Sequence, residues 1–255
     1  VALTTLLSKL GFAISLAHCN FNLRGKESDL DEEFVKKLGE KLNARVHTKQ
    51  FKTKEMAQEN KQSTQITARN LRYHWFSELV EENSFDYLVT AHHADDNIET
   101  FLINLTRGTG LDGLTGIPQI NGNIVRPLLP FSQKEISTFI KENAIEWRED
   151  KSNATTKYIR NKIRHQVVPY LKEINPSLVD TFAKTTNNLR ESQEIIEDRI
   201  ENIKSNIVTV EEDAIKISIK KLEKLSNPKA YLYQLLKQYN FTESDNVYTL
   251  LTAQS

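Results

Sequence analysis

The chain has 255 residues, 38% of them hydrophobic and 27% charged, with 34 basic side chains against 34 acidic ones. That length supports a full core and more than one domain, and the even charge excludes a polycation that coats nucleic acid over its whole surface. Cys19 is the single cysteine, which excludes a disulfide framework, a cysteine-built zinc site and an iron–sulfur cluster supplied by this chain alone.

The chain opens in VALTTLLSKLGF, apolar at helical spacing from its first position, with Gly11 as the stop. A helix already in mid-pattern at Val1 predicts a natural N-terminus further upstream. Val1–Leu10 lacks the basic flank and cleavage site of a secretory signal, and no apolar run reaches the roughly 18–20 residues of a membrane span. The expected location is the cytoplasm. Ala13–Cys19 reads as a short buried strand, and Ser28–Asn43 as an amphipathic helix whose acidic first turn suits the positive end of its dipole. Ala44–Phe51 alternates like a strand, Gln65–Asn83 is helical, and FDYLVTA (Phe85–Ala91) is a second strong strand. Asp96–Thr106 and Ser132–Asn143 follow as helices, with RPLLPF between them as an extended connector.

Strands and helices in alternation predict an α/β fold with a parallel sheet covered on both faces. Ligands in such folds sit beyond the carboxyl ends of the strands. AHCNFNLRG and TAHHADD both fall at such ends, so they should converge on one crevice. From Asn175 the texture changes to a long charged helical pattern entered through Asn-Pro. A short alternating stretch, AIKISIK, and further helical residues complete it. The expected organisation is a domain over 1–175 and a smaller, mainly helical one over 176–255.

Four segments carry chemistry. In HHADD, a zinc reading needs ligands that face one ion, but the adjacent His92 and His93 at a strand end point apart. Asp96 and Glu99 have the spacing of an acidic N-cap and its capping-box partner. Asp95 is surplus to that role, and carboxylates at a strand's carboxyl end suit Mg²⁺ held on a nucleotide's phosphates. Both readings stay open. In TRGTGLDGL, Gly108, Gly110 and Gly113 let backbone amides approach an anion and Arg107 offers a fork for phosphate, although Arg-Gly is also a common helix end. Arg69 and Arg72 share a helix face, either as a clamp for a nucleotide or as two solvated charges. KYIRNKIRHQVVPYLK (157–172) has five Lys and Arg residues and no acid. It reads as a phosphate-backbone contact or as an idle basic face.

Taken in order, AHCNFNLRGKESDLDEEFV, ARNLRYHWF, TAHHADDNIETFLINLTRGTGLDGL, RPLLP and EWREDKSNATTKYIRNKIRHQVVPYL resemble the tRNA(Ile)-lysidine synthetases, a family of N-type ATP pyrophosphatases with a Rossmann-like catalytic domain. The resemblance covers roughly 1–177. It implies that ATP adenylates C2 of the wobble cytidine in a CAU anticodon of isoleucine tRNA, and that free lysine then displaces AMP to give lysidine. It implies Asp95 and Asp96 near Mg²⁺ or the substrate lysine, with His92 beside them. Arg72 and Arg69 would face the ATP phosphates or the activated base, over a floor of Arg107, Gly108 and Gly110. Asn20 and Arg24 would lie near the nucleotide, and Arg160, Asn161 and Arg164 near the tRNA or a flipped-out cytidine. The family's SGGxDS phosphate loop is expected just before Val1 and its further C-terminal domains beyond Ser255. HCNFNLRG departs from the many relatives that have histidine at Phe21 or Asn22. Monomer and homodimer both stay open. Within the same fold, a base-adenylating thiolase is the alternative, or a non-catalytic tRNA- or nucleotide-binding remnant if the loop is truly absent.

Overall fold

The computed structural model describes all residues except 150–157, 213, 238, 240, 242–245 and 250–255. Lys157, counted above among the basic residues, lies outside the described set. Two compact units divide the chain, Val1–Lys184 and Thr185–Ser255.

In the first unit, α1 (Ala2–Lys9) ends where Gly11 takes φ +80°, a left-handed value that glycine adopts without strain. β1 (Ser15–Asn20) then leads to α2 (Lys26–Lys41) and β2 (Arg45–Gln50). The two strands pair in parallel from Ser15 opposite Arg45 to Asn20 opposite Gln50, a right-sized βαβ unit. α3 (Thr53–Glu59) and α4 (Thr64–Glu82) follow, the latter started by Ser63, whose hydroxyl accepts the Ile66 N–H. Phe51, Trp75 and Leu79 are buried together beneath Phe21 and Phe76, so the aromatic residues of α4 anchor it to the end of β2.

β3 (Leu88–Val89) runs parallel to β5 (Ile124–Val125), and β4 (Ile120–Asn121) returns antiparallel on the other side of β5. α5 (Ala94–Arg107), the single turn α6 (Leu111–Leu114) and α7 (Gln133–Glu142) complete this region. Ser132 and Glu135 close a reciprocal capping box on α7. α8 (Ile159–Lys162), a π-helical turn (Ile163–Val167) and α9 (Val168–Ile174) form one run. Ile163 and Val168 from it are buried against Ile98 and Ile103 of α5.

Three details differ from expectation. The strand expected over Phe85–Ala91 pairs only at Leu88–Val89. RPLLPF is a pair of tight turns, with Leu129 N–H donating to Arg126 O and Phe131 N–H to Leu128 O, rather than an extended connector. The β4–β5 hairpin was unread although Asn121-Gly122 is a strong hairpin signal, Gly122 supplying φ +57°.

α10 (Leu178–Ile207) begins just past Asn175-Pro176, and the division between the units falls within it. The second unit contains its later turns, a hairpin of β6 (Val208–Val210) and β7 (Ile215–Ile217), and the helices α11 (Ile219–Leu222) and α12 (Pro228–Lys237). Ile203, Ile207, Leu222, Leu232 and Leu235 form its core. Among the described residues no helix is long and apolar enough to cross a membrane.

Candidate active site

α5 starts at the carboxyl end of β3, and its first turn is built by reciprocal capping. His93 is the N-cap, accepting the Asp96 N–H at 3.4 Å, while Asp96 Oδ2 accepts the His93 N–H at 3.1 Å. Asp96 is therefore the third helical residue and not the cap expected of it. Histidine is an uncommon cap, and the Asp96–Glu99 spacing drew attention one turn too late. Glu99 is free of capping and turns inward, 1% exposed.

Three carboxylates thus lie on the buried side of one helical turn, and the 159–174 run answers them. Arg164 grips Glu99 with both arms of its fork, Nε to Oε1 at 2.6 Å and Nη2 to Oε2 at 2.9 Å, and Nη2 also reaches Asp96 Oδ1 at 3.0 Å. Arg160 donates to Thr100 Oγ1 at 2.9 Å, with Nε 3.9 Å from Glu99 Oε2. Lys172 Nζ pairs with Asp95 Oδ1, and Asp95 Oδ2 accepts the Gln133 N–H that opens α7 at 2.7 Å. Positions 160, 164, 168 and 172 recur every four residues, a row that drifts around a regular α-helix. The intervening π turn slackens the winding at this point and keeps the row facing α5. Burial opposes charge on Asp95, but the Gln133 N–H and the Lys172 ammonium outweigh it and hold the carboxyl below its usual range. The Glu99 carboxylate raises the Arg164 pKa, against the cost of burial.

Arg164 accordingly faces inward rather than along an outer basic surface, and Asn161 is buried beside it. Arg160 keeps a 42% exposed side chain. Each oxygen of Asp95 and Asp96 already meets a donor from the protein, and among the described residues no group of three His, Cys, Asp or Glu side chains is placed to hold a metal. As arranged, this pair does not fit a magnesium centre.

His92 lies one residue before the cap, its Nδ1 2.9 Å from Thr90 Oγ1. Burial lowers its pKa; Asp96 opposes that, and Arg126, Arg160 and Arg69 add to it. It is a neutral imidazole near pH 7, able to take a proton. Arg69 stacks on Tyr73 of its own helix at 4.8 Å, whereas Arg72 sits 5.2 Å above the Phe21 ring. Phe21, the departure noted in HCNFNLRG, is thus a platform that fixes Arg72 beside the end of β1.

Asn20 is 1% exposed and fully engaged. Its amide donates to Asp29 at 3.1 Å and Glu32 at 3.0 Å, and its oxygen accepts the Asn22 N–H at 3.0 Å. It shapes the loop after β1 rather than presenting a free group. Arg24 pairs with Asp31 at 2.7 Å, which Arg148 also holds at 2.8 Å. Hydrogen bonds from Lys36 and Asn20 pull the Glu32 carboxyl down from 4.5 to about 2. Its folded pKa is depressed, so the stability it contributes is present above pH 4.5 and is lost as pH falls toward about 2. Glu32→Gln should flatten that limb, as read from urea midpoints between pH 6 and 2; an unchanged acid limb would remove Glu32 from the account.

Gly108 caps α5 at φ +74°, its N–H donating to Leu105 O. Nothing stands within 4 Å of where a Cβ would project at Gly108 or Gly110, so the backbone here is open to approach. Arg107, the last residue of α5, is exposed. Arg126 escaped the sequence reading, which saw RPLLPF only as a connector; its signal was a lone arginine directly after a strand.

Residues 1–171 match the PP-loop domain family model, and 210–255 match the TilS substrate binding domain. The tRNA(Ile)-lysidine synthase of Porphyromonas gingivalis strain W83 is 40% identical over 242 residues, 94% of this chain and 52% of that protein. Its counterpart in Parabacteroides distasonis is 40% identical over the whole chain and 58% of its own length. The chain therefore spans little more than half of these relatives. Among solved structures, the U34-tRNA thiolase NcsA from Methanococcus maripaludis with its [4Fe-4S] cluster superposes with a TM-score of 0.59 at 15% identity, over 74% of this chain and 68% of that one, a likeness of fold.

Proposed function

Because this chain belongs to the PP-loop domain family, whose fold binds ATP at the carboxyl ends of its strands, we propose that it serves the ATP-dependent ligation of lysine to C2 of the wobble cytidine in isoleucine tRNA with a CAU anticodon. The cytidine C2 oxygen attacks the α-phosphorus of ATP and pyrophosphate leaves. The lysine ε-amine then adds to C2 and AMP departs with the oxygen, giving lysidine. The carrying observation is the charged lattice at the first turn of α5, where Asp95, Asp96 and Glu99 meet Lys172, Arg164 and Arg160 beside a neutral His92.

Each part has a task in that chemistry. The ε-amine must lose a proton to attack, and His92 is uncharged and adjacent. Asp95 and Asp96 supply the negative field in which an incoming ammonium is held and aligned, in exchange with the protein's own cations. Arg72, fixed on Phe21, and Arg69 face the nucleotide's phosphates, with the open backbone at Gly108 and Gly110 and the Arg107 side chain as the floor. Asn20 and Arg24 act through the loop they hold. The magnesium expected with ATP is assigned to the nucleotide's phosphates and not to Asp95 and Asp96, and no step runs through it. Residues 1–175 form the catalytic part and the later residues the helical second domain, and the enzyme works in the cytoplasm.

A thiolating chemistry is disfavoured by Cys19, whose thiol burial pushes up to about 11, far from a working thiolate. The test is incorporation of labelled lysine into this tRNA by the full-length protein. Dependence on ATP and on the wobble cytidine supports the reading; pyrophosphate release with no lysine uptake overturns it. Of the two arginines Arg160 is the more exposed, its side chain 42% against 23% for Arg164, so Arg160→Ala should weaken tRNA binding and reduce its salt slope by about one unit. Arg164→Ala should leave that slope unchanged; a loss from Arg164 alone would put the tRNA contact on the wrong residue.

A further inference from the structure

Arg126 is 6% exposed and holds its charge away from water. Among the described residues no carboxylate pairs with it. Its Nη1 donates to Pro118 O at 2.7 Å, and its Nε is buried with no acceptor. Every other buried charge discussed above has an opposite partner. A buried guanidinium with an orphaned donor is costly, and an oxyanion is the group that matches its fork.

Topology places Arg126 where ligands bind. It follows β5 directly, and the Thr90 N–H donates to Val125 O at 3.0 Å, so Arg126 stands at the carboxyl end of β5 level with the end of β3. Thr90 holds His92 through its hydroxyl. The backbone around Arg126 is braced as well, its N–H donating to Gln119 O at 2.9 Å, while Ile117 N–H is fixed by Asn97 of α5 at 2.6 Å.

We propose that Arg126 forms an oxyanion-binding site at the carboxyl end of β5. The proposal deepens the reading above, and two substrates of that reaction carry such a group: the phosphates of ATP, and the α-carboxylate of lysine. Either would supply the acceptor that the buried Arg126 Nε lacks.

The test needs no turnover, so it stands apart from the proposed reaction. The arginine Nε–H signals of the 255-residue chain are followed by NMR while pyrophosphate, L-lysine and cadaverine, which is lysine without its carboxylate, are added separately. The Arg126 signal, assigned by its absence in Arg126→Lys, should move on saturation with pyrophosphate or with lysine, and stay in place with cadaverine. Movement with pyrophosphate alone assigns the site to the nucleotide, and movement with lysine alone to the amino acid. Arg126→Lys keeps the charge but loses the fork, and should weaken binding of that anion about 10- to 100-fold. An Arg126 signal unmoved by either anion, or equal binding by a folded Arg126→Lys, overturns the proposal and leaves Arg126 as a strut for Pro118. If both anions bind here and the full-length protein still incorporates no lysine, the reaction assigned above fails while the site stands.

Discussion

Arg164→Met should destabilise the first unit by about 3–5 kcal/mol, the usual loss when one partner of a buried ion pair is removed. Glu99 is almost wholly buried, and Arg164 supplies both of its close charged contacts. Without that fork the carboxylate is left without its charged partner beside the apolar cluster of Ile98, Ile103, Ile163 and Val168. Arg160 Nε, at 3.9 Å and on a 42% exposed side chain, screens only part of the loss. For a unit of this size the change corresponds to a fall of roughly 10 °C in melting temperature. Glu99→Leu combined with Arg164→Met should cost less than Arg164→Met alone, because no charge is then stranded. A loss below about 1 kcal/mol for Arg164→Met, typical of a solvated pair, would show that the lattice is exposed and contributes little.

This interaction also marks how far local pattern reaches. The alternation of strands and helices, the break at Gly11 and the entry of α10 after Asn175-Pro176 depend on neighbours a few residues away, and all were legible in the chain. That AHCNFNLRG and TAHHADD each run off the end of a strand followed from the same alternation. What pattern does not contain is the direction of a long side chain across the fold. The basic residues of 157–172 lack acids in sequence, which suggested an outer surface, but their acids are supplied by α5, 65 positions away for Arg164 and Glu99. Asp96 and Glu99 suggested one capping register, but the cap falls three residues earlier on His93 because Glu99 has its partner inside, in Arg164. Arg126 was invisible for the opposite reason: its isolation becomes informative only once it is buried.

Asp96→Asn should reduce lysine incorporation by the full-length protein by about 100-fold or more, the scale on which a positioned charge or proton carrier contributes to a chemical step. The substitution separates the two roles that Asp96 holds. As the third residue of the capping box it needs only an oxygen to accept the His93 N–H, and asparagine keeps one. As a carboxylate it binds Arg164 and lies in the field around His92, and asparagine removes that charge. If Asp96 is only a cap, the variant loses little stability and turns over normally. If its charge aligns the lysine ammonium beside His92, tRNA affinity and adenylation persist while the second step slows. Single-turnover measurements divide the steps, pyrophosphate release reporting adenylation and label in RNA reporting ligation. Release preserved with ligation lost places Asp96 at the attacking amine. Both lost together would place its charge on the adenylation side, next to the arginines that meet the phosphates. Because the Asp96 charge also favours protonation of His92, its removal lowers the imidazole pKa further, so any ligation that survives should hold its rate to lower pH than in the native protein.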